Sequence, residues 1–228
     1  MRASAASTWS GGEIALDPGA SPRKEFQRIF PSRWSDWLKE GRPAEAGDQI
    51  LIQKTRQGDP AAFEALIRQH QRMIYSLTYR MTGSPADAED LTQETFLRAW
   101  RQIGSYRSAA KFSTWLYRIA INACLTWRQR ETLRAQVQAG WAESYDAPQL
   151  AGESAPARNE TGRNVHAALL KLPAKQRAAI MLTLYDGLSH AEAAEILGCS
   201  ETTVSWRVFA ARRKLRRWLA AAGEGTRP

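Results

Sequence analysis

Helix start and stop signals divide the chain, from residue 48 onward, into segments that carry apolar side chains at helical spacing. Asp59-Pro60 and Ser84-Pro85 each place an N-cap residue before a proline suited to a first helical turn, and Gly83 supplies a stop between them. The apolar stripe between these signals consists of Phe63, Leu66, Ile67, Ile74, Leu77 and Met81. Because no segment alternates apolar and polar residues with period two, the sequence predicts an all-α fold.

The helical signals fall into two blocks separated by a stretch with Gly140, Pro148, Gly152 and Pro156 and no apolar period. We therefore predict a four-helix bundle over residues 48–134, whose last helix runs from about Phe112 to Glu131. A flexible linker over 135–161, a second helical domain over 162–221 and a tail over 222–228 are predicted to follow. Residues 1–47 are rich in Ser, Gly, Ala and Pro, a composition that predicts a flexible extension.

In the second block a helix is predicted over Lys175 to Tyr185, with Gly187 as its stop. The block ends in a helix, a glycine-containing turn and a long helix capped by Ser200. Ser189 and Glu192 form a predicted capping box, the first helix runs to Leu197, and Gly198-Cys199-Ser200 turns the chain into a helix to about Leu219. This order is typical of a DNA-binding helix-turn-helix, whose second helix enters the major groove. Base contacts are predicted for Glu201, Thr202, Ser205, Trp206 and Arg207, and phosphate contacts for Arg212, Arg213, Arg216 and Arg217.

Net charge favours a polyanionic partner for this long helix. The chain has 32 Lys and Arg against 23 Asp and Glu, a formal net charge of +9, and basic residues crowd the range 207–217. The basic face also carries Trp206 and Phe209. Exposed aromatic area is costly unless it is used, so nucleic acid is favoured over the alternative of a merely solvated basic face.

Acidic residues cluster in the predicted helix after Pro85, where Asp87, Glu89, Asp90 and Glu94 lie within eight residues. Acids near a helix N-terminus offset the helix dipole, which accounts for Asp87 but poorly for Glu94. The alternative is a polar face, shared with Gln93, that binds a basic partner surface. The residues alone leave both interpretations open.

Aromatic and cationic residues also alternate in the range 105–130. Lys111 and Arg118 are interleaved with Trp115 and Tyr117, a pattern that suits single-stranded nucleic acid because bases stack on aromatic rings while cations hold the backbone. The aromatic side chains are equally suited to packing over the core of the helical bundle. Arg118 and Asn122 are predicted to point away from the core stripe.

Several classes of function have no support in the sequence. It contains no phosphate-binding glycine loop, no zinc-protease motif and no nucleophile elbow, and Cys124 and Cys199 are too few for a disulfide framework. His70, His166 and His190 are predicted to be solvated. We therefore expect no enzyme activity, no cofactor and no metal. Without a span of about 20 apolar residues or a secretory signal, a cytoplasmic protein is expected.

Several motifs in order resemble those of the extracytoplasmic-function (group four) sigma factors of the bacterial sigma-70 family. They are Asp87-Ala-Glu-Asp-Leu-Thr-Gln-Glu-Thr-Phe-Leu-Arg-Ala-Trp100, Phe112-Ser-Thr-Trp-Leu-Tyr-Arg-Ile-Ala-Ile-Asn122, Leu172-Pro-Ala-Lys-Gln-Arg177 and Gly187-Leu-Ser-His-Ala-Glu-Ala-Ala-Glu-Ile-Leu-Gly198 followed by Thr203-Val204. The resemblance covers residues 48–134, as region two, and 162–221, as region four.

This resemblance implies three sets of binding residues. Contacts with the clamp helices of core RNA polymerase are implied for Asp87, Glu89, Asp90, Gln93 and Glu94. Minus-10 recognition and melting are implied for Lys111, Trp115, Tyr117, Arg118 and Asn122. Minus-35 recognition is implied for Thr202, Thr203, Ser205, Trp206, Arg207, Arg212 and Arg213, although Ser205 and Trp206 stand where the family usually has a cation and a small residue.

The resemblance thus predicts a non-enzymatic initiation factor that binds core polymerase through clamp helices and flap, directs it to promoter DNA and helps to open the duplex. An anti-sigma factor is an expected partner. A duplex-binding regulator that uses only the helix-turn-helix is the alternative, but it leaves the acidic helix and the aromatic segment unexplained. A nucleic-acid enzyme is a further alternative, for which no metal or nucleophile site is found.

Overall fold

In a computed structural model, the backbone is described for residues 47–107, 111–141 and 160–224. The predicted extension, most of the predicted linker and the end of the tail lie outside these ranges. The described residues are helical, which confirms the all-α prediction. Their eight α-helices are α1 Asp48–Arg56, α2 Pro60–Thr82, α3 Pro85–Gln102, α4 Phe112–Trp141, α5 Glu160–Leu170, α6 Ala174–Ile180, α7 His190–Leu197 and α8 Glu201–Glu224.

The predicted helix signals at both ends of α2 and at the start of α3 are confirmed. The Asp59 carboxylate accepts hydrogen bonds from the N–H groups of Ala61 and Ala62 at 2.9 and 3.3 Å. Gly83 ends α2 in the left-handed conformation, with φ of 81°. The Ser84 hydroxyl then accepts a hydrogen bond from the Asp87 N–H. Each cap satisfies a helix-terminal backbone group that the helix itself leaves without a partner.

The apolar stripe of α2 forms the core of the N-terminal bundle, which consists of α1 to α4. Every residue of the predicted stripe is at most 3% exposed. Buried hydroxyl groups join α2 to α3, because Thr78 Oγ1 lies 2.9 Å from Thr92 Oγ1 and donates to the Ala88 carbonyl. The close approach of these two helices therefore leaves both threonine hydroxyls satisfied.

Two boundaries differ from the predictions. α4 continues to Trp141, about ten residues beyond the predicted end near Glu131, because no glycine or proline interrupts residues 132–139. The helix predicted over Lys175 to Tyr185 is α-helical only to Ile180, and Met181–Tyr185 form a π-helical turn. Gly187 follows this turn with φ of 71°, as its predicted role as a stop requires.

The prediction of a solvated His70 is wrong. Its side chain is buried, and Nε2 lies 3.0 Å from Asp48 Oδ2 because α1 packs across α2. The imidazole also contacts the edge of the Phe112 ring, with ring centroids 5.3 Å apart. His70 thus connects three helices of the bundle, a role that its local sequence does not reveal.

A second helical unit, α5 to α8, packs against the bundle. Tyr79 stacks on His166 with ring centroids 5.1 Å apart, and Arg80 Nη1 lies 3.8 Å from Asp186 Oδ1. His166 is therefore half-buried rather than solvated, and this burial lowers the pKa of its imidazole, with Arg177 and Arg80 adding to the effect. Arg177 completes the junction by donating a hydrogen bond to the Met81 carbonyl of α2.

The two thiols are expected to differ greatly in reactivity. Burial raises the pKa of the Cys124 thiol to about 12, whereas Cys199 is partly exposed in the turn before α8. The raised pKa lowers the thiolate fraction of Cys124 about a thousandfold, and burial blocks access. A disulfide reagent should therefore modify one thiol per native chain, and Cys199→Ser should abolish this reaction. Equal rates for both thiols would contradict the described packing of α4.

None of the described helices is long and apolar enough to cross a membrane. Within the same residues, no group of three or more His, Cys, Asp or Glu side chains is arranged to hold a metal ion.

Candidate nucleic-acid interface

The helix-turn-helix predicted from the sequence is present in α7 and α8. Ser189 and Glu192 form the complete capping box, and Gly198 ends α7 in the left-handed conformation with φ of 58°. Ser200 Oγ accepts a hydrogen bond from the Thr203 N–H, so the predicted cap of the second helix is also confirmed. Val204, Val208 and Ala211 bury one side of α8 against the rest of the unit.

The opposite side of α8 is open to solvent. Trp206 is 62% exposed and Phe209 is 64% exposed, although both are large apolar side chains. The other predicted DNA-binding residues that are exposed are Glu201, Thr202, Ser205, Arg212, Arg213, Arg216 and Arg217, whereas Thr203 and Arg207 are partly buried. An exposed aromatic pair among cations is an arrangement that can contact base edges, thymine methyl groups and phosphates.

Two contacts fix polar side chains at the start of α8. Ser205 Oγ lies 2.8 Å from Nδ1 of His190, the first residue of α7. Arg207 Nη1 donates to the Cys199 sulfur at 3.4 Å, which draws this guanidinium toward the turn. The side chains of both helices are therefore held together at the surface that a helix-turn-helix presents to a duplex.

The aromatic residues of the segment before and within α4 point into the molecule. Tyr106, Phe112 and Trp115 form a cluster in which each pair of ring centroids is 5.5 Å apart. Trp115 is 7% exposed and Tyr117 is 5% exposed. The aromatic rings thus cover the core of the bundle in this structure. This packing favours a role in the core, rather than base stacking, for the side chains of Trp115 and Tyr117.

The polar residues of the same segment point outward. Lys111, Arg118 and Asn122 are all exposed, as predicted for Arg118 and Asn122. Trp115 and Arg118 border a cleft of about 290 Å³, together with Ser105, Arg107, Glu195 and Ile196. Two arginines, two aromatic side chains and the carboxylate of Glu195 therefore meet at one small concave surface, where a cation beside an aromatic ring suits a single base and its phosphate.

The predicted acidic face of α3 is only partly accessible. Asp90 is exposed, and Asp87, Glu89 and Glu94 are partly exposed. Glu94 forms an ion pair with Arg98 one turn later. Gln93 is 2% exposed, and its Oε1 has no hydrogen-bond partner among the described residues. The four carboxylates form a surface patch, whereas Gln93 lies beneath it.

Comparisons with known proteins identify the family to which this chain belongs. The family model "Sigma-70 region 2" matches residues 66–134, and "Sigma-70, region 4" matches residues 162–215. RNA polymerase sigma-H factor of Pseudomonas aeruginosa is 35% identical over 173 residues, which cover 72% of this chain and 90% of that protein. The chain belongs to the extracytoplasmic-function sigma factors. Sigma factor SigE of Mycolicibacterium smegmatis is 35% identical over 82% of this chain and 72% of its own length.

Two solved structures resemble the fold of this sigma factor. One is RpoE of Bartonella quintana in complex with the anti-sigma factor NepR, with a TM-score of 0.56 and 28% identity over 69% of this chain and 96% of that one. The other is CnrH in complex with the cytosolic domain of CnrY, with a TM-score of 0.55 and 29% identity over 77% of this chain and 98% of that one.

Sequence reasoning missed the residues that join the two units of this sigma factor. Arg80 lies in α2, Arg177 lies in α6 and Asp186 follows the π-helical turn, so only tertiary packing brings them to the junction. The one available signal was an arginine followed directly by Ala178, Ala179 and Ile180.

Proposed function

We propose that this sigma factor binds core RNA polymerase through the acidic face of α3, directs it to promoters through α4 and α8, and assists duplex opening. The observation that carries the proposal is the presence of three chemically distinct surfaces on one chain. They are the carboxylate patch of α3, the cations beside the cleft of α4 and the aromatic and basic face of α8. A duplex-binding regulator would require only the last of these.

Within this proposal the predicted sites divide by accessibility. Asp87, Glu89, Asp90 and Glu94 bind the polymerase clamp helices, with Gln93 supporting them from beneath. Lys111, Arg118 and Asn122 contact the minus-10 strand, and Trp115 and Tyr117 shape the surface beneath it. Thr202, Thr203, Ser205, Trp206, Arg207, Arg212 and Arg213 contact the minus-35 duplex. Polymerase carries out the chemistry, so the sigma factor needs no enzyme activity of its own. It acts in the cytoplasm, where it meets core polymerase and promoter DNA.

Control by an anti-sigma factor is part of the proposal. One of the similar solved structures is a sigma factor in complex with an anti-sigma factor. In this chain Trp206 and Phe209 offer exposed apolar area next to the DNA-binding cations, the combination that a protein inhibitor of DNA binding can cover.

Asp90→Lys is expected to lower the affinity for sigma-free core polymerase about tenfold or more, because it reverses a charge at the centre of the carboxylate patch. Binding is measured by fluorescence anisotropy, and run-off transcription from a genomic promoter library is measured in parallel. Glu64→Lys makes the same charge change on α2, outside the patch, and should leave both readouts near the parent values.

Transcript starts that share two spaced upstream elements, and that disappear with Asp90→Lys, are the expected result. A parent chain that binds duplex DNA but never binds core polymerase would reject the proposal in favour of the duplex-binding regulator.

A further inference from the structure

The outward face of α8 carries aromatic rings where a helix-turn-helix approaches the bases of a duplex. By helical spacing Phe209 lies at the centre of this face, one turn after Ser205 and one turn before Arg213. Trp206 lies beside Ser205 on the preceding turn, and both rings are exposed. Their apolar area therefore faces the groove that this helix is proposed to enter.

The first turns of α8, which the structure describes in full, lack an exposed cation that can bind guanine. An arginine or lysine that donates to O6 and N7 of guanine is the most common specific contact in the major groove. Among residues 201–209 the only cation is Arg207. Arg207 is partly buried, and its Nη1 donates to the Cys199 sulfur in the turn. The exposed Glu201 carboxylate only accepts hydrogen bonds, so it cannot bind the acceptor edge of guanine.

The polar neighbours of the two rings provide little discrimination between bases. Ser205 Oγ lies 2.8 Å from His190 Nδ1, so the hydroxyl is held against α7. A hydroxyl both donates and accepts, and it can therefore bind several base edges. The next cations on this face, Arg212 and Arg213, lie one turn beyond Phe209. Because the N-terminal part of the recognition helix contacts the bases, these cations are placed for phosphates instead.

Contact between an aromatic ring and a methyl group is the remaining means of discrimination. Thymine is the base whose major-groove edge carries a methyl group, and apolar side chains contact this group. Such a contact removes apolar surface from water on both the protein and the DNA. Trp206 and Phe209 are three residues apart, which is about 4.5 Å along the helix axis and close to one base-pair step of about 3.4 Å. The two rings therefore suit neighbouring base pairs.

We propose that Trp206 and Phe209 determine the specificity of the minus-35 contact, and that they select a duplex by its thymine methyl groups rather than by hydrogen bonds to guanine. This inference rests on the proposed function, because it concerns the same minus-35 surface of α8. It names the chemistry of the preferred duplex, which has thymines at neighbouring base pairs in the major groove. The proposed function itself leaves that chemistry open.

The test compares thymine with deoxyuridine, which lacks only the C5 methyl group, in duplexes that the protein selects. A pool of duplexes that is random over about one helical turn, roughly ten base pairs, is selected with the full chain alone and with the chain bound to core polymerase. The enriched element should contain neighbouring thymines. Replacing either of them with deoxyuridine should lower the affinity about fourfold, the effect of removing one methyl group from an apolar contact.

Substitutions in α8 connect each methyl group to one ring. Trp206→Ala should abolish the difference between thymine and deoxyuridine at one position of the element, and Phe209→Ala should abolish it at the neighbouring position. Trp206→Phe keeps a ring in place and should retain the preference for thymine. Ser205→Arg supplies an exposed guanidinium to the same face and should raise the affinity for duplexes that carry guanine at the facing position.

Arg213→Gln is the matched control on the same face of α8, because a cation that contacts phosphate carries no sequence information. It should lower the affinity for the thymine and deoxyuridine duplexes by the same factor and make binding less dependent on salt. Loss of the thymine preference in Arg213→Gln would transfer the reading of bases to that cation and overturn the inference.

The outcomes distinguish this inference from the proposed function. An element defined by guanine, whose recognition survives in Trp206→Ala, would overturn the methyl contact, while run-off transcription with core polymerase would still support the proposed function. A thymine preference that depends on Trp206, in a chain that never supports transcription with core polymerase, would retain the contact but reject the proposed function. Failure to enrich any element in either selection would overturn the inference, whatever the transcription assay shows.

Discussion

Replacing Arg177 with methionine is expected to lower the free energy of unfolding by about 3 to 5 kcal/mol, the cost of removing a buried charged donor from its partners. Its side chain is 1% exposed. The guanidinium donates hydrogen bonds to the carbonyls of Leu169, Leu170, Leu172 and Met81. Most of these carbonyls belong to the ends of α5 and α2, where the helix provides no partner. Methionine fills a similar volume but removes the side-chain donor from all four carbonyl groups, of which, among the described residues, only that of Leu169 retains a backbone donor, the Leu172 N–H.

Thermal unfolding followed by circular dichroism measures this effect, and the expected decrease in Tm is about 10 °C for a chain of this size. Burial lowers the pKa of Arg177 to about 10, so the group remains charged at neutral pH and the effect should be similar between pH 6 and 8. Arg72→Met, at an exposed position of α2, is the matched control and should change Tm by no more than about 2 °C. Equal Tm values for the two variants would contradict the assigned hydrogen bonds.

Trp115→Ala is expected to destabilise the N-terminal bundle by about 3 to 5 kcal/mol, because it removes the largest ring from a buried aromatic cluster. Its contacts with Tyr106 and Phe112 are lost, and the cavity opens toward the cleft. Trp115→Phe retains a ring in the cluster and should cost about half as much. Urea denaturation with an unchanged m-value would attribute the difference to native-state packing.

Trp206→Ala provides the control for Trp115, since both changes remove an indole from a helix. Trp206 is 62% exposed, so its removal should change stability by less than about 0.5 kcal/mol. A stability loss at position 206 as large as that at 115 would mean that α8 is covered in solution. A negligible loss at position 115 would mean that its ring is available for base stacking rather than part of the core.

The helices and most of their ends were predictable because their signals are local. Asp59, Ser84, Ser189 and Gly198 act on backbone groups within three or four residues, and the structure places each as predicted. The apolar stripe of α2 was equally predictable, since helical periodicity determines which side chains share a face. The outward positions of Arg118 and Asn122 followed from the same periodicity.

Features that depend on a second element were not predictable in this way. His70 is buried because α1 crosses α2 at that point, and Gln93 is buried although it lies between Asp90 and Glu94 of the carboxylate patch. The rings of Trp115 and Tyr117 allowed two interpretations from sequence, and only the packed cluster shows which side they face. The contact between α4 and α7 involves residues about 80 positions apart, which no local pattern connects.

Gly83 has two separate requirements to meet, and only one of them comes from its own helix. Its φ of 81° needs a residue that tolerates the left-handed region, a condition that asparagine also meets. A Cβ atom at this position, however, would lie 2.5 Å from Leu170 Cδ1 of α5 unless that leucine withdrew. An isolated bundle would therefore accept asparagine here, whereas in the docked pair of units any side chain at this position requires Leu170 to change its conformation. Glycine thus suits both the turn that ends α2 and the approach of the unit that packs against it.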